Sequence, residues 1–407
     1  MKSASTKEGG EIIMLKLLRI KQFRYFFLAD IISGFGVGLT TVGANWYLLS
    51  QTKSSKLVGL YLTVNVIAGF AMSPLAGSLT DKCSRKIVIL WSFLGRALPM
   101  LLIAGYFLIW GFNLYVMYFL ASLTGAGWIT YMSASRSYIQ SIIPEKLLGS
   151  ANSFVEVSLQ VGMFVAGAIS GVILNYTGFM AILVINIIMF LIGTVLIMRI
   201  PKDVLHFAAE NDVHASFING IRYIFSTRIV VIVGALSILP LLVTQLFNVT
   251  SPAYVASVLN QNSIVYGMAD MLYGIGGLTA GILTGWIISK LENKKIIIAY
   301  FFLASLALVS LYAGRNVFLM YICTYVIGLS NSSLRIVTNT VLMKNVAASY
   351  MGRTTSVLNG TAQFIEIFAS SWMGIMNDQQ GASFGFLIMF IIMLIGLLLS
   401  GLVKRMA

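Results

Sequence analysis

The sequence predicts an all-α membrane protein of twelve transmembrane helices in two six-helix repeats. Three observations carry that expectation. Hydrophobic stretches of about 20 residues, the length that crosses a bilayer as a helix, tile the chain from Phe23 to Val403. Basic residues collect in alternate gaps between them, the asymmetry that sets the orientation of membrane helices. Short polar strings recur about half a chain apart.

Taken in order, the spans fall near 23–50, 57–79, 87–110, 113–135, 149–173 and 179–199 in the first half, and 229–256, 265–289, 296–314, 317–341, 354–376 and 384–403 in the second. Lys2, Lys7, Lys16, Arg19, Lys21 and Arg24 lie before or at the start of the first span, and Lys82, Arg85 and Lys86 separate the second from the third. Arg136 and Lys146 separate the fourth from the fifth, and Arg199, Lys202, Arg222 and Arg228 the sixth from the seventh. Lys290, Lys294 and Lys295 follow the eighth span, Arg335, Lys344 and Arg353 are assigned to the gap after the tenth, and Lys404 and Arg405 follow the twelfth. Of 27 Lys and Arg, only Lys53, Lys56 and Arg315 fall on the opposite side, and Arg96 lies within the third span. The positive-inside rule then puts both termini in the cytoplasm of a cell with a bacterial-type inner membrane.

At 58% hydrophobic and 10% charged, the chain lacks the polar surface of a soluble globule. Its formal charge of +14 is spread over short loops, so membrane topology accounts for it and no nucleic-acid partner is expected. Cys83 sits in a loop and Cys323 in a span; neither suggests a disulfide, a nucleophile or a metal ligand. The longest polar break, 201–228, divides the spans six and six. It holds His206 and His214 among Asp203, Glu210 and Asp212, whose spacing matches no ligand motif and reads as a solvated linker. Phe217, Ile218, Ile221, Ile224 and Phe225 then recur at helical spacing and predict a short amphipathic helix on the inner membrane surface. The expected organisation is therefore a tail at 1–22, a six-helix bundle at 23–200, a linker at 201–228, a second bundle at 229–403 and a tail at 404–407.

The halves read as distant copies. The string Gly77 to Lys86 follows the second span, and Gly285 to Lys294 follows the eighth; Leu148 to Ser153 enters the fifth span, and Met351 to Ser356 the eleventh. A six-span unit repeated around a central site is the architecture of many secondary transporters.

Gly77-Ser-Leu79-Thr-Asp81-Lys82-Cys-Ser84-Arg85-Lys86 resembles the loop signature of the major facilitator superfamily, with Ser84 where a second glycine is usual. The resemblance implies a conformational latch built from Gly77, Asp81, Lys82, Arg85 and Lys86. Gly77 would allow close helix contact, Asp81 would pair with a basic group or cap a helix, and Arg85 and Lys86 would hold the loop at the anionic inner leaflet. Gly162-Met-Phe-Val-Ala-Gly167-Ala168-Ile-Ser-Gly171 resembles the glycine-rich antiporter motif of exporters in that superfamily, with Ala168 where proline is usual. The strings at Phe23 to Ala29 and Asn219 to Phe225, and the pair Gly352-Arg353, are similar to the branch that includes macrolide efflux proteins and siderophore exporters. Thr124 stands where many proton-coupled relatives carry an embedded arginine.

Ionisable residues inside spans are costly and mark functional positions by default. Those identified are Asp30, Arg96, Glu156, Asp270 and Glu366. In the superfamily arrangement, spans one, five, eight and eleven border the cavity, so Asp30, Glu156, Asp270 and Glu366 are candidates for proton coupling or substrate contact. Glu366 stands out because Gln363 and Asn359 extend it into a polar stripe. Arg96, on a peripheral span, is expected in a structural ion pair. Trp46, Trp128, Tyr131, Phe247, Tyr273 and Trp372 are candidates for an apolar cavity wall.

The expectation is a monomeric transporter, not an enzyme, that exports an amphiphilic small molecule by proton antiport: an antibiotic, a siderophore or a small peptide antibiotic in a self-immunity role. Protons and membrane lipids are its other partners. No G-x-x-x-x-G-K-[ST] loop occurs, and no cofactor or metal is expected. Uptake or lipid flipping on the same fold, and a membrane-embedded transferase, are the alternatives.

Overall fold

The computed structural model describes residues 17, 19–200, 224, 227–288 and 290–402, with the side chains at 145, 146, 149, 150, 152, 153, 156, 228, 348, 349, 352 and 402 outside the description. Twelve long helices account for almost all of it: α1 Lys21–Thr52, α2 Ser55–Lys82, α3 Arg85–Trp110, α4 Leu114–Ile142, α5 Glu145–Tyr176, α6 Phe179–Met198, α7 Arg228–Ser257, α8 Ser263–Ile288, α9 Asn293–Ala313, α10 Val317–Asn345, α11 Ala348–Gln380 and α12 Ala382–Leu402. Each matches one of the spans read from the sequence to within a residue or runs beyond it, several by a turn or more. His206, His214 and the amphipathic stretch of the linker lie outside the described residues, apart from Ile224.

Two helices, α4 and α10, begin at a side chain that serves their terminal backbone groups. Asn113 starts α4 by accepting from the N–H groups of Tyr115 and Val116, and Asn316 starts α10 by accepting from those of Phe318 and Leu319. Gly178 and Gly381 adopt φ of 81° and 87° after α5 and α11, a positive-φ conformation that glycine takes without strain. Among the described residues, ten helices are long and apolar enough to cross a bilayer by length and composition. The other two, α4 and α11, are 29 and 33 residues long and fall short of that hydropathy.

The chain divides into two compact units. The first comprises Met1–Ala44 and Ile67–Ala208, the second Asn45–Val66 and Ala209–Ala407. Compactness thus cuts through α1 and α2 and places their joined ends with the second unit. In the first unit α1 packs closely on α5: a Cβ at Gly34 or Gly38 would meet the backbone of Leu159 or Met163, and one at Gly162 would lie 2.7 Å from the Ile31 carbonyl. In the second unit Gly276 faces the Tyr325 carbonyl and Gly328 the Tyr273 carbonyl, so α8 and α10 touch backbone to backbone.

The internal repeat recurs in the side-chain bonds. Lys86, at the start of α3, donates from Nζ to the carbonyls of Met198, at 2.9 Å, and Ile200 beyond the end of α6. Its counterpart Lys294, at the start of α9, donates to the Gly401 carbonyl at the end of α12 at 3.2 Å. An ammonium group is favourable among the exposed carbonyls of a helix C-terminus. Likewise Thr80 on α2 meets Ser133 on α4 at 3.2 Å, and Thr284 on α8 meets Ser333 on α10 at 2.8 Å.

Candidate functional site

The embedded charges fall into two groups of different character. In the first unit Asp30 on α1 and Arg96 on α3 are each 1% exposed. Tyr131 Oη donates to Asp30 Oδ1 at 2.6 Å, and Ser158 Oγ donates to Oδ2 at 3.0 Å. Arg96 donates from Nε to the Ser92 carbonyl at 2.8 Å and from Nη2 to Ser33 Oγ at 3.4 Å. The rings of Phe190, Phe93 and Tyr131 surround its guanidinium at 4.3, 5.4 and 5.7 Å. Gly127 of α4 makes room for its stem, since a Cβ there would lie 2.6 Å from Arg96 Cγ.

Arg96 was expected in an ion pair. Among the described residues no carboxylate lies within 4 Å of it, and three aromatic faces enclose the cation instead. Tyr131, a candidate wall residue, is fully buried and links Asp30 to this box. The Asp30 carboxylate is thus hydrogen-bonded within a packed core. Glu156 falls within α5, and its side chain lies outside the described residues.

The second unit holds its charges on more open faces. On α11, Ser356, Asn359, Gln363, Glu366 and Ser370 recur at three- and four-residue spacing and form one polar stripe. The apolar Phe364, Phe368 and Trp372 are exposed on another face, as lipid-facing residues would be. Glu366 is half-buried, about 27 Å along α11 from Ala348 and about 21 Å from Gln380. Gln245 of α7 donates to Ser370 Oγ at 3.2 Å, and Ser370 donates to the Glu366 carbonyl at 2.8 Å, which ties the stripe to its neighbouring helix. Asp270 is half-buried on α8 about 10 Å from Ser263, between Tyr266 and Tyr273 on adjacent turns. The Tyr273 hydroxyl lies 2.7 Å from that of Thr244, and Asn331 Nδ2 of α10 donates to both, at 3.1 and 3.3 Å. Phe247 stacks on Tyr273 with ring centroids 5.5 Å apart. Among the described residues no three His, Cys, Asp or Glu side chains are grouped to hold a metal.

One charged residue of this region was misplaced by the sequence reading. Arg335 was counted with the loop after the tenth span, yet α10 continues to Asn345 and leaves Arg335 about 15 Å inside the helix. It belongs with the embedded charges.

The latch residues are only partly as expected. Asp81 and Lys82 are exposed, and no partner for the Asp81 carboxylate is found among the described residues. A Cβ on Gly77 would meet nothing within 4 Å, so that glycine makes no close helix contact here. Lys86 donates to the carbonyls at the end of α6. In the glycine-rich motif, Gly162 meets α1 directly, and Gly167 and Gly171 are buried.

Twelve long helices in two repeats, ten of them apolar enough among the described residues to cross a bilayer, with carboxylates and amides set among them, are the build of a multi-pass membrane transporter. The family model of the Major Facilitator Superfamily matches residues 26–246 and 237–405, and the chain belongs to that superfamily. It is 23% identical over 354 residues to a staphyloferrin A transporter of Staphylococcus aureus, covering 82% of this chain and 84% of the relative. It is 31% identical over 116 residues to the class H tetracycline resistance protein of Pasteurella multocida, covering 28% of each. Among solved structures, a D-xylose–proton symporter superposes with a TM-score of 0.74 at 16% identity, over 94% of this chain and 97% of the other, a likeness of fold.

Proposed function

We propose that this transporter exports an amphiphilic small molecule from the cytoplasm by proton antiport, as a monomer in the inner membrane with both termini cytoplasmic. The observation that carries the proposal is the polar stripe on α11, with Glu366 near the middle of the helix and ordinary lipid-facing residues on another face. A carboxylate held there at the cost of its hydration is suited to carry a proton in one state and a counter-charge in the other. Asp270, half-buried between two tyrosines, is the second candidate carrier. Asp30 is assigned a structural role with Arg96 because both its oxygens already accept hydrogen bonds in a closed core.

Export over import is supported by the motif at Gly162, Gly167 and Gly171 and by the tetracycline resistance protein among the relatives. Sliding of α1 against α5 across their glycine contacts is suited to alternating access. Antibiotics, siderophores and small peptide antibiotics are the candidate substrates. The test is accumulation of tetracycline and of ethidium in cells with and without the chain. Expression should lower accumulation of a true substrate, and an uncoupler should restore it; raised accumulation in energised expressing cells would contradict export.

A further inference from the structure

Arg335 is an embedded cation for which no hydrogen bond or ion pair is found among the described residues. It lies on α10 about 15 Å from Asn345 and about 27 Å from Val317. Its side chain is exposed, as is that of Asn339 one turn on. Two polar side chains on one face of a membrane helix fit a surface open to water rather than to lipid. Among the described residues no carboxylate stands within 4 Å of the guanidinium, the pair Lys295–Glu292 being the salt bridge found there. Arg96 is the contrast: it is buried, bonded to a carbonyl and boxed by three rings.

The surroundings of Arg335 are polar and fixed. One turn away, Asn331 is held by Tyr273 and Thr244, which ties α10 to α8 and α7. Glu366 lies at the same level: Ser370, one turn from it, is bonded to Gln245 of α7, next to the Thr244 that Asn331 reaches. A guanidinium is a planar fork of donors suited to a carboxylate or phosphate, and an accessible one inside a membrane region needs an anion to offset its charge.

We propose that Arg335 binds an anionic group of the transported molecule, and that this molecule is a zwitterionic amphiphile. Its cationic group is met by Glu366, so a proton arriving on that carboxylate displaces the cation while Arg335 keeps its own partner. This gives proton exchange a chemical basis and narrows the substrate class; it rests on the transport reading above.

The test uses the purified full chain in detergent and two fluorescent probes, Nε-dansyl-lysine and its carboxamide, which differ in the carboxylate alone. Wild type should bind the acid about tenfold or more tightly than the amide, as expected for a charge-assisted hydrogen-bonded pair. Arg335→Gln should bring the acid down to the affinity of the amide and leave the amide unchanged, and Arg335→Lys should keep part of the preference. Equal affinities in wild type would overturn the anion site while leaving small-molecule binding intact. Preference unchanged in both variants would overturn it too, and so would absence of saturable binding by either probe, the transport reading being tested separately by accumulation. If the Gln variant does not fold, a wild-type preference retained in full by the Lys variant counts against the proposal.

Discussion

Removing the Asp378 carboxylate should release the start of α2 from the end of α11. Asp378 accepts from the backbone N–H of Ser55 at 2.6 Å, from that of Lys56 at 3.0 Å and from Ser54 Oγ at 2.7 Å. It thereby satisfies the first turn of a helix more than 300 residues away in sequence, where the helix dipole also favours a negative charge. A hydrogen bond to a charged group is worth about 1.5–3 kcal/mol when shielded, and the dipole adds about 0.3–1 kcal/mol. Asp378 is exposed, so screening brings the sum for Asp378→Ala to about 1–2 kcal/mol. The contacts further along the joint remain, with Thr63 Oγ1 donating to the Ile367 carbonyl at 2.8 Å and Gly374 facing the Ser55 carbonyl. A loss of that size shifts the balance of held and released forms about 5- to 30-fold. Val58, fully buried on α2, is the reporter: in a chain with Cys83 and Cys323 replaced, Val58→Cys should react with an impermeant maleimide about 5- to 30-fold faster when Asp378 is Ala. An unchanged labelling rate would refute the reasoning and leave the joint to its apolar and glycine contacts.

Other outcomes follow from the same packing. Tyr131→Phe removes the donor to a buried carboxylate and should cost about 1–3 kcal/mol, read as a lowered melting temperature of the purified protein. Gly328→Ala places a methyl group against the Tyr273 carbonyl, so α8 and α10 must separate; expression and monodispersity on size exclusion should fall sharply, whereas Gly77→Ala, with open space around it, should express normally. Asp81→Asn should slow transport with little change in substrate affinity, since Asp81 is exposed in the last turn of α2 and is not part of the α11 stripe; equal slowing and weakening would assign Asp81 to binding.

The parts of this molecule legible in the sequence are those written in local pattern. Span length and the alternation of charge located all twelve helices, and the strings ending in Lys86 and Lys294 marked a repeat that recurs as two equivalent caps on α6 and α12. Glu366, Gln363 and Asn359 were readable as a stripe because helical spacing puts them on one face. What failed was depth. Arg335 lies six residues inside the end drawn for the tenth span, and counting it as a loop charge improved the topology while hiding an embedded cation. Burial was equally illegible: Asp30 and Glu366 look alike as lone acids in apolar runs, and Tyr131 and Ser158, more than 100 residues from Asp30, separate them. The Asp378 cap has the same cause, because a bond between residues 54 and 378 leaves no local trace.

The central claim is that Glu366 couples the transported molecule to protons. Its most direct test reconstitutes the chain and its Glu366→Gln variant in proteoliposomes and follows uptake of a substrate found by the accumulation assay, driven by an imposed pH gradient. The account predicts gradient-driven transport by wild type, and a variant that binds the substrate but does not respond to the gradient. Full gradient-driven transport by Glu366→Gln would contradict it and move the coupling role to Asp270 or Glu156.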